Sequence, residues 1–160
     1  MAQDMLQPPV QRFELTDFFA GRTLAWGVFE DRFGRLRRRF SVEMHGAWNG
    51  NQFQLDETFT YDTGESEKRI WMVTPGPDGQ FTATCADCVG HAIGVCDADS
   101  IQMRYRIRLT LSGRDVVVAF NDRIYRMGDG LAVNRATMSK WGVTLGELAL
   151  FFERKASRAA

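Results

Sequence analysis

All three cysteines and one of the two histidines fall in a single run, "TCADCVGHAIGVC", with Cys85, Cys88, His91 and Cys96 spaced C-x2-C-x2-H-x4-C. Thiolate and imidazole at such spacing are zinc ligands, but a zinc ion needs all four to converge. "VGHAIGV" alternates like a strand. On an extended strand Cys85 and Cys88 point to opposite faces, as do Cys88 and His91. A bend at Asp87 would remove only one of these conflicts. The expectation is small, partly buried thiols and no metal. The same run alternates the small residues Gly90, Ala92 and Gly94, which would leave room beside the strand, or mark a bend or close strand packing.

A second group with chemical potential consists of charges in phase with apolar residues. Arg38 alternates with Leu36, Phe40, Val42 and Met44. Glu57 shares a face with Phe53, Leu55, Phe59 and Tyr61, and Asp122 with Val116, Val118, Phe120 and Ile124. Arg69 falls in phase with Trp71 and Val73, and Glu147 with Val143, Leu145 and Phe151. Inward charges are costly unless paired and hydrogen-bonded. They read either as internal salt bridges or local bulges, or as a polar cluster at a cavity floor that orients a ligand head group. Carboxylates in an apolar interior have raised pKa values and could do acid–base work on a bound molecule.

Other chemistries lack their parts. There is no Gly-x-Ser-x-Gly elbow and no phosphate-binding glycine loop, and only His45 and His91 could serve a Ser–His or Cys–His pair. No catalytic residue is assigned and no cofactor is expected.

The elements that must position these residues are strands. Turn signals recur at 31–34, 48–51 (with Asn49-Gly50), 62–65, 75–79, 97–100, 112–114 and 128–130, and the segments between them are of strand length. "IQMRYRIRLTL" places Ile101, Met103, Tyr105, Ile107, Leu109 and Leu111 on one face and Arg104, Arg106 and Arg108 on the other, the pattern of a half-buried antiparallel strand. About ten such segments with short links predict an all-β fold: a single antiparallel up-and-down β-barrel, lipocalin- or fatty-acid-binding-like, whose closure removes exposed edges. The one helical signal is "LTDFFAG" at 15–21, read as a capping turn.

The chain of 160 residues suits one domain. Lys plus Arg and Asp plus Glu balance at 20 each, so no overall field draws in nucleic acid, and none is expected as a partner. Basic residues in "RFGRLRRRF" and at 104, 106 and 108 read as a solvated exterior, with a docking face for an anionic membrane or nucleic acid as the alternative. No apolar run reaches the roughly 18 residues of a membrane helix. "MAQDMLQPPVQRFEL" shows no signal peptide, and an odd cysteine count fits reduced thiols. The chain as given therefore reads as cytoplasmic, or periplasmic or membrane-anchored if a leader was removed.

The stretches "FFAGRTLAWGVFEDRFG", "GAWNGNQFQLDETFTYDTGE", "RIWMVT", "ADCVGHAIG" and "NRATMSKWGVTLGELALFF" together resemble the bacterial domain of unknown function 3833 family, a lipocalin-like group. The resemblance spans roughly residues 18–155, and "NRATMSKWGV" is its most specific piece. It implies a lipocalin-like barrel but supplies no reaction. Many relatives look like exported lipoproteins, whereas this chain shows no leader or anchor cysteine; nor do related sequences carry its cysteine set. Lipocalin-type barrels also tend to pack a late Arg across a first-strand Trp, which would pair Trp26 with Arg135 in a cation–π contact of roughly 0.5–2 kcal/mol.

These readings predict an N-terminal extension at 1–17, a barrel at 18–155 and a tail at 156–160. The expected function is binding of a small apolar molecule or lipid inside the barrel. Candidate ligand-binding residues are Trp26, Arg38, Glu57, Tyr61, Arg69, Trp71, Tyr105, Asp122 and Arg135. The alternatives are an enzyme acting on a lipid-like substrate through inward carboxylates, and a filled barrel that binds another protein. Oligomeric state is left open.

Overall fold

The computed structural model describes residues 11–155; the tail and the first ten residues of the expected N-terminal extension fall outside that range. A short helix, α1 (Leu15–Phe18), precedes ten strands: β1 (Gly21–Asp31), β2 (Leu36–Asn49), β3 (Gln52–Tyr61), β4 (Ser66–Pro75), β5 (Gln80–Thr84), β6 (Ala92–Cys96), β7 (Ser100–Leu111), β8 (Arg114–Gly128), β9 (Leu131–Lys140) and β10 (Val143–Lys155). Each strand pairs antiparallel with its neighbour in sequence, and β1 closes onto β10. The all-β, up-and-down, ten-stranded barrel expected from the alternation is the observed fold.

The connections β2–β3, β4–β5, β6–β7 and β8–β9 lie at one end, together with α1. That end is plugged. Phe13, Leu15, Phe18 and Phe19 are buried, and Phe13–Phe18, Phe18–Phe19 and Phe19–Phe152 meet edge to face at 4.9–5.3 Å between centroids. Each such side chain contributes on the order of 2 kcal/mol by leaving water. Gly46 makes the plug possible: a Cβ there would run into the Phe19 carbonyl and the Phe53 ring. The other end, formed by the β1–β2, β3–β4, β7–β8 and β9–β10 hairpins, is the mouth.

The wall is uneven. β5 and β6 have only five residues each, and residues 85–91 take the place of their missing upper halves. This segment is not a strand. Cys88 N–H donates to the Cys85 carbonyl (3.1 Å), closing a turn, while Val89 N–H bonds the Arg106 carbonyl (2.9 Å) and Arg108 N–H the Asp87 carbonyl (2.8 Å). Cys88 bridges Ile107. The two thiols therefore do not point to opposite faces, as an extended chain would require; both pack against the core. Cys96 is buried at the plugged end of β6, and His91 is exposed. The four residues of the C-x2-C-x2-H-x4-C run do not converge, and among the described residues no group of three His, Cys, Asp or Glu side chains could hold a metal.

The small-residue face leaves no room in the lumen. Phe81 occupies the place a Cβ of Gly94 would take, Ala92 is fully buried, and Gly90 stands in the open at φ +73°. Close packing is the reading that fits.

Candidate functional site

Of the nine candidate residues, seven face the interior and two do not. Trp26 is 46% exposed, next to the fully buried Ala25, and lies against Phe151 on the outer face. Arg135 falls between buried Asn134 and Ala136 and points outward, where it meets Glu147 at 3.8 Å with both side chains in solvent. The expected Trp26–Arg135 contact across a barrel end therefore does not form: the phase of β1 and β9 puts both outside. Glu147 is also outward, because a register shift between Thr144 and Gly146 inverts the alternation of β10 and turns Leu148, Leu150 and Phe152 in.

The inward residues form a chain of contacts across the lumen. Glu57 and Arg69 are directly opposite on β3 and β4. The Trp71 indole N–H donates to Glu57 Oε1 at 2.8 Å. Trp71 meets Tyr105 edge to face at 5.2 Å, and Tyr105 stacks on Phe120 at 5.3 Å. The Tyr105 hydroxyl donates to Asp122 Oδ2 at 3.0 Å. Two carboxyl groups are thus joined through two touching rings.

Arg69 is not a free cation. Its guanidinium takes Asp87 at 3.1 and 3.3 Å, reaches Glu67 at 3.4 Å, and lies over the Phe59 ring. Asp87 belongs to the 85–91 segment, so this pair ties that patch of wall to β4. Nearer the mouth, Arg38 lies over Tyr61, 5.2 Å from its centroid.

Burial sets the acidity of this cluster. It pushes Glu57 up to about 7 against the opposing effects of Arg69 and the Trp71 hydrogen bond. It likewise pushes Asp122 up to about 7, while the Tyr105 and Asn134 side chains and the Arg69 charge pull the other way. Tyr105 is held well above the usual phenol range by burial and by the two acids. Burial would also raise Asp87, but its bonds from Arg69 and Cys85 keep it below the usual carboxylate range. Burial and the Asp87 hydrogen bond raise the Cys85 thiol, so it is a poor nucleophile at neutral pH. Among the described residues, no hydrogen-bond partner of good geometry reaches the buried Asp122 Oδ1 or the buried Asn134 side-chain oxygen.

Glu57, Tyr61, Arg69, Tyr105, Asp122, Phe120 and Leu148 point inward and are not fully buried. Residue reasoning missed Asn134, Asp87 and Phe120 as members of this group. The alternation Ala132, Asn134, Ala136, Met138 carries the signal for Asn134. Asp87 has none, since it reaches Arg69 from a turn. A surface depression of about 820 Å3 lies elsewhere, on the outer wall among Arg22, Glu43, His45, Trp48, Gln54 and Asp56.

Closure, strand order and an aromatic-walled interior define a lipocalin-like barrel. The fold is similar to that of the S-type phycobiliprotein lyase CPES from Guillardia theta, with a TM-score of 0.66, 8% identity, and coverage of 90% of this chain and 92% of that one. Two further solved structures show weaker likeness: a redesigned β-barrel, mFAP1, bound to DFHBI (TM-score 0.46, 10% identity, 87% and 97% coverage) and EF1p2_mFAP2b bound to DFHBI (0.47, 8%, 87% and 95%). No curated protein matches the sequence significantly. The chain belongs to the family described as protein of unknown function (DUF3833), whose model matches residues 3–154.

Proposed function

We propose that the barrel binds one small, largely apolar molecule above the aromatic plug, with a hydrogen-bond-donating group at its inner end. The carrying observation is that the inward-facing residues of the mouth half keep accessible surface inside a closed barrel. Phe59, Phe120, Leu148 and Leu150 supply apolar wall, and Glu57 and Asp122 supply acceptors at depth. The ligand class follows from the charges. Among the described residues Arg69 is the one cation deep in this group, and it is already taken by Asp87 and Glu67. A fatty carboxylate reaching that depth would meet two acids and no unpaired cation, whereas an N–H or O–H group would meet acceptors. The likeness to the lyase supports the barrel only; the side chains carry the rest.

N-phenyl-1-naphthylamine, a neutral apolar fluorophore with one N–H, tests this reading. The folded protein should take it up saturably, and Glu57→Leu should weaken uptake roughly five- to tenfold, the worth of one hydrogen bond. Absence of uptake by folded protein, or tighter capture of a fatty acid than of the amine, would overturn it.

A further inference from the structure

Two adjacent hairpins at the mouth, β1–β2 and β9–β10, carry large apolar residues at their tips. Phe33 is 71% exposed and Trp141 92%. The hairpins are tied together, since Arg32 N–H donates to the Leu145 carbonyl at 3.1 Å. Trp141 and Gly142 have φ of +52° and +77°, the left-handed pair of a two-residue type I′ turn, where Asn-Gly is the usual choice. A tryptophan there is strained, and its exposure shows that it buries almost nothing. Lys140 lies over the Trp141 ring at 4.6 Å, and Arg32 over Phe33 at 4.8 Å. Of the two acids at the end of β1, Asp31 is engaged by Arg37 and by the turn amides of Phe33 and Arg35, and Glu30 is exposed. The tips present to solvent a pair of aromatic residues set among three cations, Arg32, Arg35 and Lys140, against the exposed acid Glu30, beside the opening of the lumen.

We infer that this rim docks the barrel mouth-down on an anionic lipid surface. Phe33 and Trp141 enter the headgroup region, and Arg32, Arg35 and Lys140 meet lipid phosphates. Aromatic residues at the interface and basic residues against an anionic leaflet are the two attractions such a surface offers. A second copy of the chain fits less well, because a two-fold contact would set the same cations against each other. Docking would place the lumen where an apolar ligand is stored, and so goes beyond the reading of the interior.

The test is cosedimentation of the full chain with vesicles of phosphatidylcholine alone or mixed with phosphatidylglycerol. Binding should require phosphatidylglycerol, and tryptophan emission should shift to the blue in the wild type but not in Trp141→Ser. Arg32→Ala and Arg35→Ala should each weaken binding about fivefold at low salt, and Phe33→Ser with Trp141→Ser by tenfold or more. All these residues are exposed, so thermal unfolding should not move. Folded protein that ignores phosphatidylglycerol vesicles, a double variant that binds as well as the wild type, or tip-dependent dimers in lipid-free solution would each overturn docking. Dye uptake needs no vesicles, so the two readings fail separately.

Discussion

Trp71 and Tyr105 meet edge to face, and each gives its one polar hydrogen to a different inward-facing acid, Glu57 and Asp122. The contact makes one unit of what would otherwise be two isolated inward carboxyls. It orients both acids and leaves their remaining oxygens to a ligand or a proton. Burial raises both pKa values, and the hydrogen bonds from the two rings lower them by less.

That unit predicts how stability varies with pH. Glu57 and Asp122 have folded pKa values of about 7, above their unfolded values. The folded state therefore binds more protons than the unfolded state between about pH 4 and about pH 7. Stability should be greatest below that window, fall as pH rises through it, and level off above about pH 7. Glu57→Gln keeps an acceptor for Trp71 and removes the charge. It should flatten the fall and be more stable than the wild type by on the order of 1–2 kcal/mol at about pH 8. Urea unfolding at two pH values reads this directly.

The wall near Arg69 rests on an ion pair. Asp87→Ala would leave Arg69 half-buried without its bidentate partner, at a cost of about 1–3 kcal/mol. Because residues 85–91 stand in for the upper parts of β5 and β6, amide exchange there should speed up more than in β7 or β8. Uniform exchange across the barrel would mean that the pair does not hold this segment.

Gly46→Ala should loosen the plug. The added methyl would meet the Phe19 carbonyl and the Phe53 ring, and such crowding typically costs 1–3 kcal/mol. Gly50→Ala, at an open turn with φ +66°, should cost less, about 1 kcal/mol. Denaturant midpoints of the two variants give the comparison.

Arg135→Ala should change stability by less than about 0.5 kcal/mol, since its pairing with Glu147 is long and largely in solvent. A loss of several kcal/mol would show that Arg135 closes the barrel after all.

The legible part of this chain was whatever alternation controls. Strand number follows from the turn signals that divide the alternating segments, and the inward phase of Arg38, Glu57, Tyr61, Arg69, Trp71, Tyr105 and Asp122 from period two, because each lies within an uninterrupted strand. What failed depended on breaks in the period. The bulge near Leu145 turned Glu147 outward, and the turn at Asp87 brought Cys85 and Cys88 to one side. Trp26 and Arg135 were paired by family resemblance, against the phase of their own strands. The Trp141 turn went unread because tryptophan carries no turn signal, and the conformation is set by the hairpin geometry rather than by the residue.

The most direct test of the interior reading is native mass spectrometry of the purified full chain, followed by organic extraction of whatever it carries. The account predicts retention of one small apolar molecule per chain, or its acquisition on incubation with N-phenyl-1-naphthylamine, with release on unfolding. A folded protein that holds nothing as purified and acquires nothing would contradict it.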